Sequence, residues 1–409
     1  MQRYIIQTVL PYTLLLIAIS GVTGCFTFKI PLIITWGINT SICILYYWSK
    51  KFIKTDNNLL INYYLYWNIF CLIRGCFVAE IYWDWKTLID TGFCMVLPVF
   101  YYTFSQPNIL SLLLKNLLKY SFIIFPIILI GTISSDIPGR YLTFIYIYCI
   151  CINIIPKKWR IIFLILGLFS IFYDLDARSN GIRAIIALLI GVFAFYIIDN
   201  TIIKRLALFT FLIPFILFIL GAFNIFNIFK MDEYMQEINI SQKNPSLNDK
   251  SDANLTADTR TFLYKEVISS AISHNYILYG RTPSRGYTSY YFTFDDTASA
   301  NDGIRKNERY RCEVSILNIF HNSGIIGVIF YFLIFFKASY LALFKSQNKF
   351  IKLFGLFIAF RWCYGWIEDF NNFDINYIIL WIILSMCFSK KFRVMNNTEF
   401  KLWINKTLP

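Results

Sequence analysis

The chain has 409 residues, 57% of them hydrophobic and only 15% charged, and its mean hydropathy is +0.55. Soluble domains are about 45–50% apolar and about 25% charged, so this composition excludes an ordinary soluble globule. The formal net charge of +14 is no nucleic-acid footprint, because the basic residues are parcelled out among short segments between apolar runs rather than gathered in one patch.

Twelve apolar runs are legible in chain order, at 4–22, 30–48, 59–82, 88–104, 119–135, 140–156, 159–174, 182–198, 205–228, 314–336, 351–368 and 374–389. A helix of about 20 apolar residues crosses a hydrocarbon core of about 30 Å, so the expected fold class is all-α: a polytopic membrane protein of about twelve spans. The first run lacks a small-residue cleavage site and a second follows at once, which reads as a retained helix rather than a signal peptide. Nearly all of the ten cysteines lie inside these runs, and no C-x-x-C or Cys/His cluster suggests a disulfide framework or a metal site.

Orientation follows from Lys and Arg in the short loops. With both termini cytoplasmic, the inner segments carry 20 Lys and Arg, including Lys50, Lys51, Lys54, Lys115, Lys119 and Lys337, against 5 in the short outer loops. This places residues 230–312 outside the cytoplasm as one large loop between the ninth and tenth spans. The expected organisation is spans one to nine over 1–229, the loop over 230–312, spans ten to twelve over 313–390, and a cytoplasmic tail over 391–409.

Within the loop, Asp232 to Asp258 is rich in Asn, Ser, Asp and Lys and has the composition of a flexible segment. Asp258 is placed to cap an amphipathic helix running to about Ser273, and Gly280, Pro283 and Gly286 mark turns.

Arginine is dense on the outer side: Arg178 and Arg183 where the seventh and eighth spans meet, then Arg260, Arg281, Arg285, Arg305, Arg309 and Arg311. A planar, always charged guanidinium suits phosphate oxygens. Pairing of Arg178 and Arg183 with Asp174 and Asp176 at the same hairpin is the structural alternative. The two histidines, His274 and His321, both fall in the outer half. A helix would put Asn318, His321 and Asn322 on neighbouring faces, with Glu313 two turns earlier on a similar side. Glu313 is either an acid–base group or simply the ion-pair partner of Arg309 or Arg311. Arg74 and Arg361 lie deep in their runs; each is either half of an interhelical pair, for instance with Glu368 or Asp369, or faces a lipid-phosphate cleft. No Walker A loop, G-x-S-x-G elbow or H-E-x-x-H helix is present.

Three segments carry a resemblance. They are Asp176-Ala177-Arg178-Ser179-Asn180-Gly181-Ile182-Arg183-Ala184; Thr259-Arg260-Thr261 with Tyr264 and Ile277-Leu278-Tyr279-Gly280-Arg281; and Glu313 through Gly327, containing His321-Asn322-Ser323-Gly324. In this order, around one large loop, they resemble the O-antigen ligase and Wzy-type polysaccharide polymerase superfamily of bacterial membrane glycosyltransferases. Eleven residues before Gly324 stands Glu313, where ligases usually carry a histidine, and this departure favours a polymerase. The polymerase pattern of Arg, ten residues, then Gly in two outer loops is not evident.

The resemblance implies an inner-membrane enzyme that joins polyprenyl-pyrophosphate-linked oligosaccharide units for O-antigen or capsule, without metal or cofactor. Its partners would be that lipid-linked donor, the bilayer, and the chain-length regulator and flippase of the pathway, with no nucleic acid. Arg178, Arg183, Arg260 and Arg281 would meet the pyrophosphate and Arg311 the glycan or pyrophosphate. Glu313 would be the first candidate base, with His321 and His274 in reserve, and Tyr287, Tyr290, Tyr291 and Phe292 offer sugar-stacking rings or a packed loop core. The alternatives are a ligase transferring polymer to lipid A core, and, in another class, a lipid-linked sugar transporter, for which neither inverted repeats nor broken helices are seen.

Overall fold

A computed structural model describes residues 8–22, 31–53, 58–131, 136–173, 178–194, 200–230, 241–242, 253–254, 260–290, 305 and 307–409. The chain is overwhelmingly helical. In order, the helices are α1 (Thr13–Ser20), α2 (Leu32–Phe52), α3 (Leu59–Val78), α4 (Tyr82–Met95), α5 (Tyr101–Phe104), α6 (Pro107–Gly131), α7 (Ile137–Tyr141), α8 (Tyr146–Ile150) and α9 (Lys157–Phe172). They continue with α10 (Arg178–Leu189), α11 (Asn200–Ala222), α12 (Thr261–Ser273), α13 (Ser315–Lys345), α14 (Lys349–Tyr364), α15 (Ile375–Phe388), α16 (Lys390–Val394) and α17 (Asn397–Lys406). Short 3₁₀ turns join several of them.

Helix occupies each of the twelve predicted runs. Among the described residues four stretches are long and apolar enough to cross a membrane: Tyr82–Phe104, Pro107–Gly131, Thr201–Ala222 and Ser315–Lys345. Only 17% of the apolar window of Thr201–Ala222 is buried in the protein, and its outward face carries Phe209, Leu212, Ile216 and Ile219. An apolar face of that extent needs an apolar solvent, as in an integral membrane protein.

Several predicted boundaries move, two of them past lysines assigned to loops. α6 begins at Pro107, not 119, so Lys115 and Lys119 stand on the helix rather than in the preceding loop. Likewise α13 runs to Lys345 and carries Lys337. A long aliphatic stem lets a lysine ride on a helix while its ammonium reaches the polar boundary, so neither charge ends the helix.

The centre is α15, all of whose residues are buried. α13 packs along α14, and α11 lies against α14 as well. Trp362 of α14 anchors this seam, with ring contacts to Phe211, Phe215, Tyr331, Phe332 and Phe335. The segment 391–409 is a folded cap rather than a loose tail. α17 opens on a capping box between Asn396 and Glu399, stacks Phe400 on Phe350, and donates from the Trp403 indole to the Pro107 carbonyl.

The described residues 260–290 and 307–314, between α11 and α13, pack on one end of the bundle, the loop end. α12 ends at Ser273 as predicted; it starts at Thr261 with Arg260 at the N-cap, and Asp258 lies outside the described residues. A two-residue ladder pairs Tyr287–Thr288 with Glu308–Arg309. Glu266 of α12 holds the region by accepting from the Ser289 hydroxyl (2.8 Å) and the Tyr290 amide (2.5 Å).

α13 is discontinuous. Gly324 has φ 66° and ψ −171°, a region that only glycine enters at low cost. The turn Ile277–Arg281 inserts at this break. The Ile325 amide donates to the Ile277 carbonyl (2.9 Å), and the Arg281 amide donates to the His321 carbonyl (2.7 Å). The Trp67 indole donates to the Ser323 carbonyl (3.0 Å). The groups orphaned by the break are thus served by the inserted turn and α3. The sequence reading found no broken helix, because hydropathy runs through Gly324 without interruption.

Candidate functional site

Two arginine–carboxylate clusters form at the loop end. In the first, Arg260 donates from Nε to the Ile367 carbonyl (3.2 Å) and sets its two Nη atoms 2.5 Å from Glu313 and 3.6 Å from Glu368. Arg309 approaches the other oxygen of Glu313 at 3.5 Å. Alongside, Arg311 pairs with Asp369 at 2.7 Å. Burial opposes the Arg311 charge, but Asp369 more than offsets it and its pKa rises. Asp369 also accepts from the Asn371 amide.

The second cluster centres on Glu308. It accepts from Arg281 (3.0 Å), from Arg285 (2.5 and 3.2 Å) and from the Gly286 amide (3.2 Å). Burial alone would push the Glu308 carboxyl up; the two guanidinium groups and the amide outweigh it and hold it below the usual range. Arg305 bridges Glu80 (2.6 Å) and Asp84 (3.0 Å), and the Tyr310 hydroxyl donates to Asp84 (2.7 Å). Those carboxylates raise the pKa of Arg305.

The predicted site residues therefore divide. Arg260 and Glu313 meet directly, and Arg311 lies beside them on Asp369. Arg281 does not join them; its side chain is committed to Glu308 and the Gly286 carbonyl (2.6 Å). Glu313 does not share a helix face with His321, since α13 begins at Ser315. His321 is buried, with Nε2 2.7 Å from the Arg285 carbonyl, and braces the second cluster instead. His274 is exposed with Nε2 3.0 Å from the Thr288 hydroxyl; burial and the nearby Arg281 keep its pKa below the ordinary histidine value.

Arg178 opens α10, while Asp174 and Asp176, its candidate partners, lie outside the described residues. Arg183 is buried and turns back on its own helix, donating to the Ser179 carbonyl (2.8 Å), the Ser179 hydroxyl (3.1 Å) and the Asn180 side-chain oxygen (2.6 Å). Gly139 makes room for that Asn180, whose amide nitrogen would sit 2.7 Å from a Cβ at 139. Of the aromatic candidates, Tyr287 is buried and Tyr290 exposed; Tyr291 and Phe292 lie outside the described residues.

Partner choices differ from expectation at four positions. Glu368 pairs with Arg260 and Asp369 with Arg311, not with the deep arginines. Arg74 instead donates to the Tyr279 (2.8 Å) and Gly280 (3.2 Å) carbonyls of the inserted turn. Arg361 donates to the Asn376 side-chain oxygen (3.3 Å) and lies over the Phe370 ring, with no carboxylate partner among the described residues. The roles of Glu368, Asp369 and Glu308 were not read from the sequence; the one available signal was acidic residues at the loop-end termini of apolar runs in an arginine-rich protein.

Beside the first cluster an apolar cleft of about 520 Å³ opens between α11, α12 and the end of α14. Leu217, Phe218, Tyr264, Ile268 and Trp366 line it, and Thr261, next to Arg260, stands on its wall. The Tyr264 hydroxyl is tied to the Trp366 carbonyl at 2.5 Å, which fixes α12 over the cleft. Ile367, whose carbonyl accepts from Arg260, also lines the cleft, so the apolar slot lies next to that guanidinium. Among the described residues no group of three or more His, Cys, Asp or Glu is placed to hold a metal ion. Comparison with protein-family models, curated proteins and solved structures returns no match.

Proposed function

We propose that the protein is a membrane glycosyltransferase of the polymerase type. It joins polyprenyl-pyrophosphate-linked oligosaccharide units at the outer face of the bacterial inner membrane, in a twelve-span chain with both termini cytoplasmic. The observation that carries this reading is the apolar cleft ending beside Arg260, Arg309 and Glu313. An amphiphile with a long apolar tail and an anionic head fits that juxtaposition, and two of the three sequence segments that resemble such enzymes contribute Arg260 and Glu313 to it.

In the reaction, the bond between the donor sugar's anomeric carbon and the pyrophosphate oxygen breaks, and a bond to an acceptor hydroxyl oxygen forms. The departing polyprenyl pyrophosphate keeps the electron pair, and fixed guanidinium groups stabilise it. The acceptor's proton passes to a carboxylate, assigned to Glu313. With Arg260 and Arg309 beside it, Glu313 also sets where those arginines stand.

Gene deletion followed by gel analysis of surface glycans tests the reading. The expected result is loss of the ladder with single repeat units still attached to the core. Loss of all attached repeats, with polymer kept on its carrier, would make the protein a ligase. The broken helix at Gly324 supports a second reading, a lipid-linked sugar transporter, since discontinuous helices recur in transporter binding sites. That reading expects single lipid-linked units to accumulate at the inner face, whereas the polymerase leaves them at the outer face.

A further inference from the structure

α11 runs towards the loop and α13 away from it, so the start of α11 and the last turns of α13 meet at the bundle end opposite the loop. There the two helices leave a shallow groove, lined by Leu208 and Phe211 of α11 and by Phe336, Tyr340 and Phe344 of α13. Leu208, Tyr340 and Phe344 are exposed, so the groove opens on the outside of the bundle. Lys204, early in α11, sets its Nζ 4.8 Å from the centroid of the Phe344 ring. Lys352 comes to the same place from α14, where the charges acting on it are those of Lys204 and Lys349. One turn later, Gly355 closes α14 onto the groove wall. The Ser339 hydroxyl donates to the Gly355 carbonyl (2.8 Å), and a Cβ at 355 would lie 3.3 Å from Leu343 Cγ; Ser339 and Leu343 both line the groove.

The frame that carries these lysines is fixed. Asn348, between α13 and α14, accepts from the Ile351 amide (2.8 Å) and donates to the Phe392 and Met395 carbonyls (3.0 Å each). Among the described residues neither Lys204 nor Lys352 pairs with a carboxylate. Both are half-buried, and Lys345, exposed in the last turn of α13, adds a third ammonium. Lysine has a flexible stem and a strongly hydrated head, so lysines with no shared partner spread into water. Here two are gathered in each other's field beside an apolar surface, and an anion between them relieves that repulsion. Basic pockets between helices at a membrane boundary take lipid headgroups for this reason.

We propose that Lys204, Lys352 and Lys345 hold the phosphodiester headgroup of an anionic phospholipid whose acyl chain lies along the groove between α11 and α13. The groove decides between a lipid and a free anion. A soluble phosphate uses the ammonium groups alone, whereas the lipid also covers Leu208, Tyr340 and Phe344. In the topology proposed above this lipid belongs to the cytoplasmic leaflet. The site lies at the far end of the bundle from Arg260 and Glu313 and does not depend on the glycosyl-transfer reading.

The test is thermal unfolding of the full chain in detergent at physiological ionic strength, titrated with short-chain phosphatidylglycerol, with phosphatidylcholine of the same chains, and with glycerol 3-phosphate. Phosphatidylglycerol is expected to raise the Tm with an apparent affinity about tenfold or more above either of the others. The double variant Lys204→Gln/Lys352→Gln is expected to weaken that affinity about ten- to thirtyfold, while its lipid-free Tm stays level or rises. Lys157→Gln/Lys158→Gln removes two exposed lysines at the start of α9, assigned to the same side of the membrane, and is expected to leave the affinity within about twofold. If the first double variant does not accumulate, Lys352→Gln alone carries the test with an expected loss of about fivefold. The proposal is overturned if phosphatidylcholine stabilises as well as phosphatidylglycerol, or if both double variants weaken binding alike, which would mean diffuse surface charge only. It is also overturned if glycerol 3-phosphate matches the lipid, which would mean a free-anion site.

Discussion

At single residues, the two clusters make opposite demands on their carboxylates. Glu308 is enclosed and neutralises Arg281 and Arg285; removing it strands both cations. Glu308→Gln is expected to destabilise the protein by about 2–4 kcal/mol, read as a lower Tm and lower membrane abundance. Because its folded pKa lies below the ordinary value of 4.5, its contribution is complete above that value and is lost as pH falls through the depressed folded value. Thermal unfolding between pH 6 and pH 3 should show that acid-side loss, and Glu308→Gln should flatten it. Glu313, about half exposed, is the carboxylate to which the proposed function assigns the acceptor's proton. Glu313→Gln is expected to cut polymerisation about a hundredfold or more with abundance unchanged; normal chain lengths in that variant would remove the base role.

At the scale of elements, the junction of the broken α13 with the turn Ile277–Arg281 couples loop to bundle. A methyl at Gly324 would lie 2.2 Å from the Leu278 carbonyl oxygen, and φ 66° disfavours any side chain. Gly324→Ala is expected to cost about 2–4 kcal/mol and to expel the turn. Arg74→Met removes the donors to the Tyr279 and Gly280 carbonyls and should act more mildly. Hydrogen exchange across 277–281 and 324–327 reads both variants: faster exchange confined to these residues is expected, and unchanged exchange in both would deny the coupling.

For the whole molecule, the proposed topology sets the loop end and the α17 end on opposite sides of the membrane. Tyr290 is 75% exposed at the first, and Lys401 is exposed at the second. In intact spheroplasts a membrane-impermeant maleimide is expected to label Tyr290→Cys above the background of the native thiols. Lys401→Cys should react only after permeabilisation. Labelling of both in intact cells would break the twelve-span orientation.

The sequence by itself determined where helices lie, because a hydrocarbon core demands long apolar runs and that demand is local. It also determined the extent of the loop helix to Ser273 and the concentration of arginine around the loop. Only the tertiary structure decided which carboxylate each arginine meets: Arg260 and Glu313 are 53 residues apart, and Arg305 and Glu80 are 225 apart. Ion pairing is short-ranged in space and carries no signature along the chain, so Arg281 and Arg260 look alike in sequence yet serve different carboxylates. The break at Gly324 was hidden for a related reason. Its orphaned backbone groups are satisfied by a turn more than forty residues upstream and by Trp67, partners that exist only once the chain has folded.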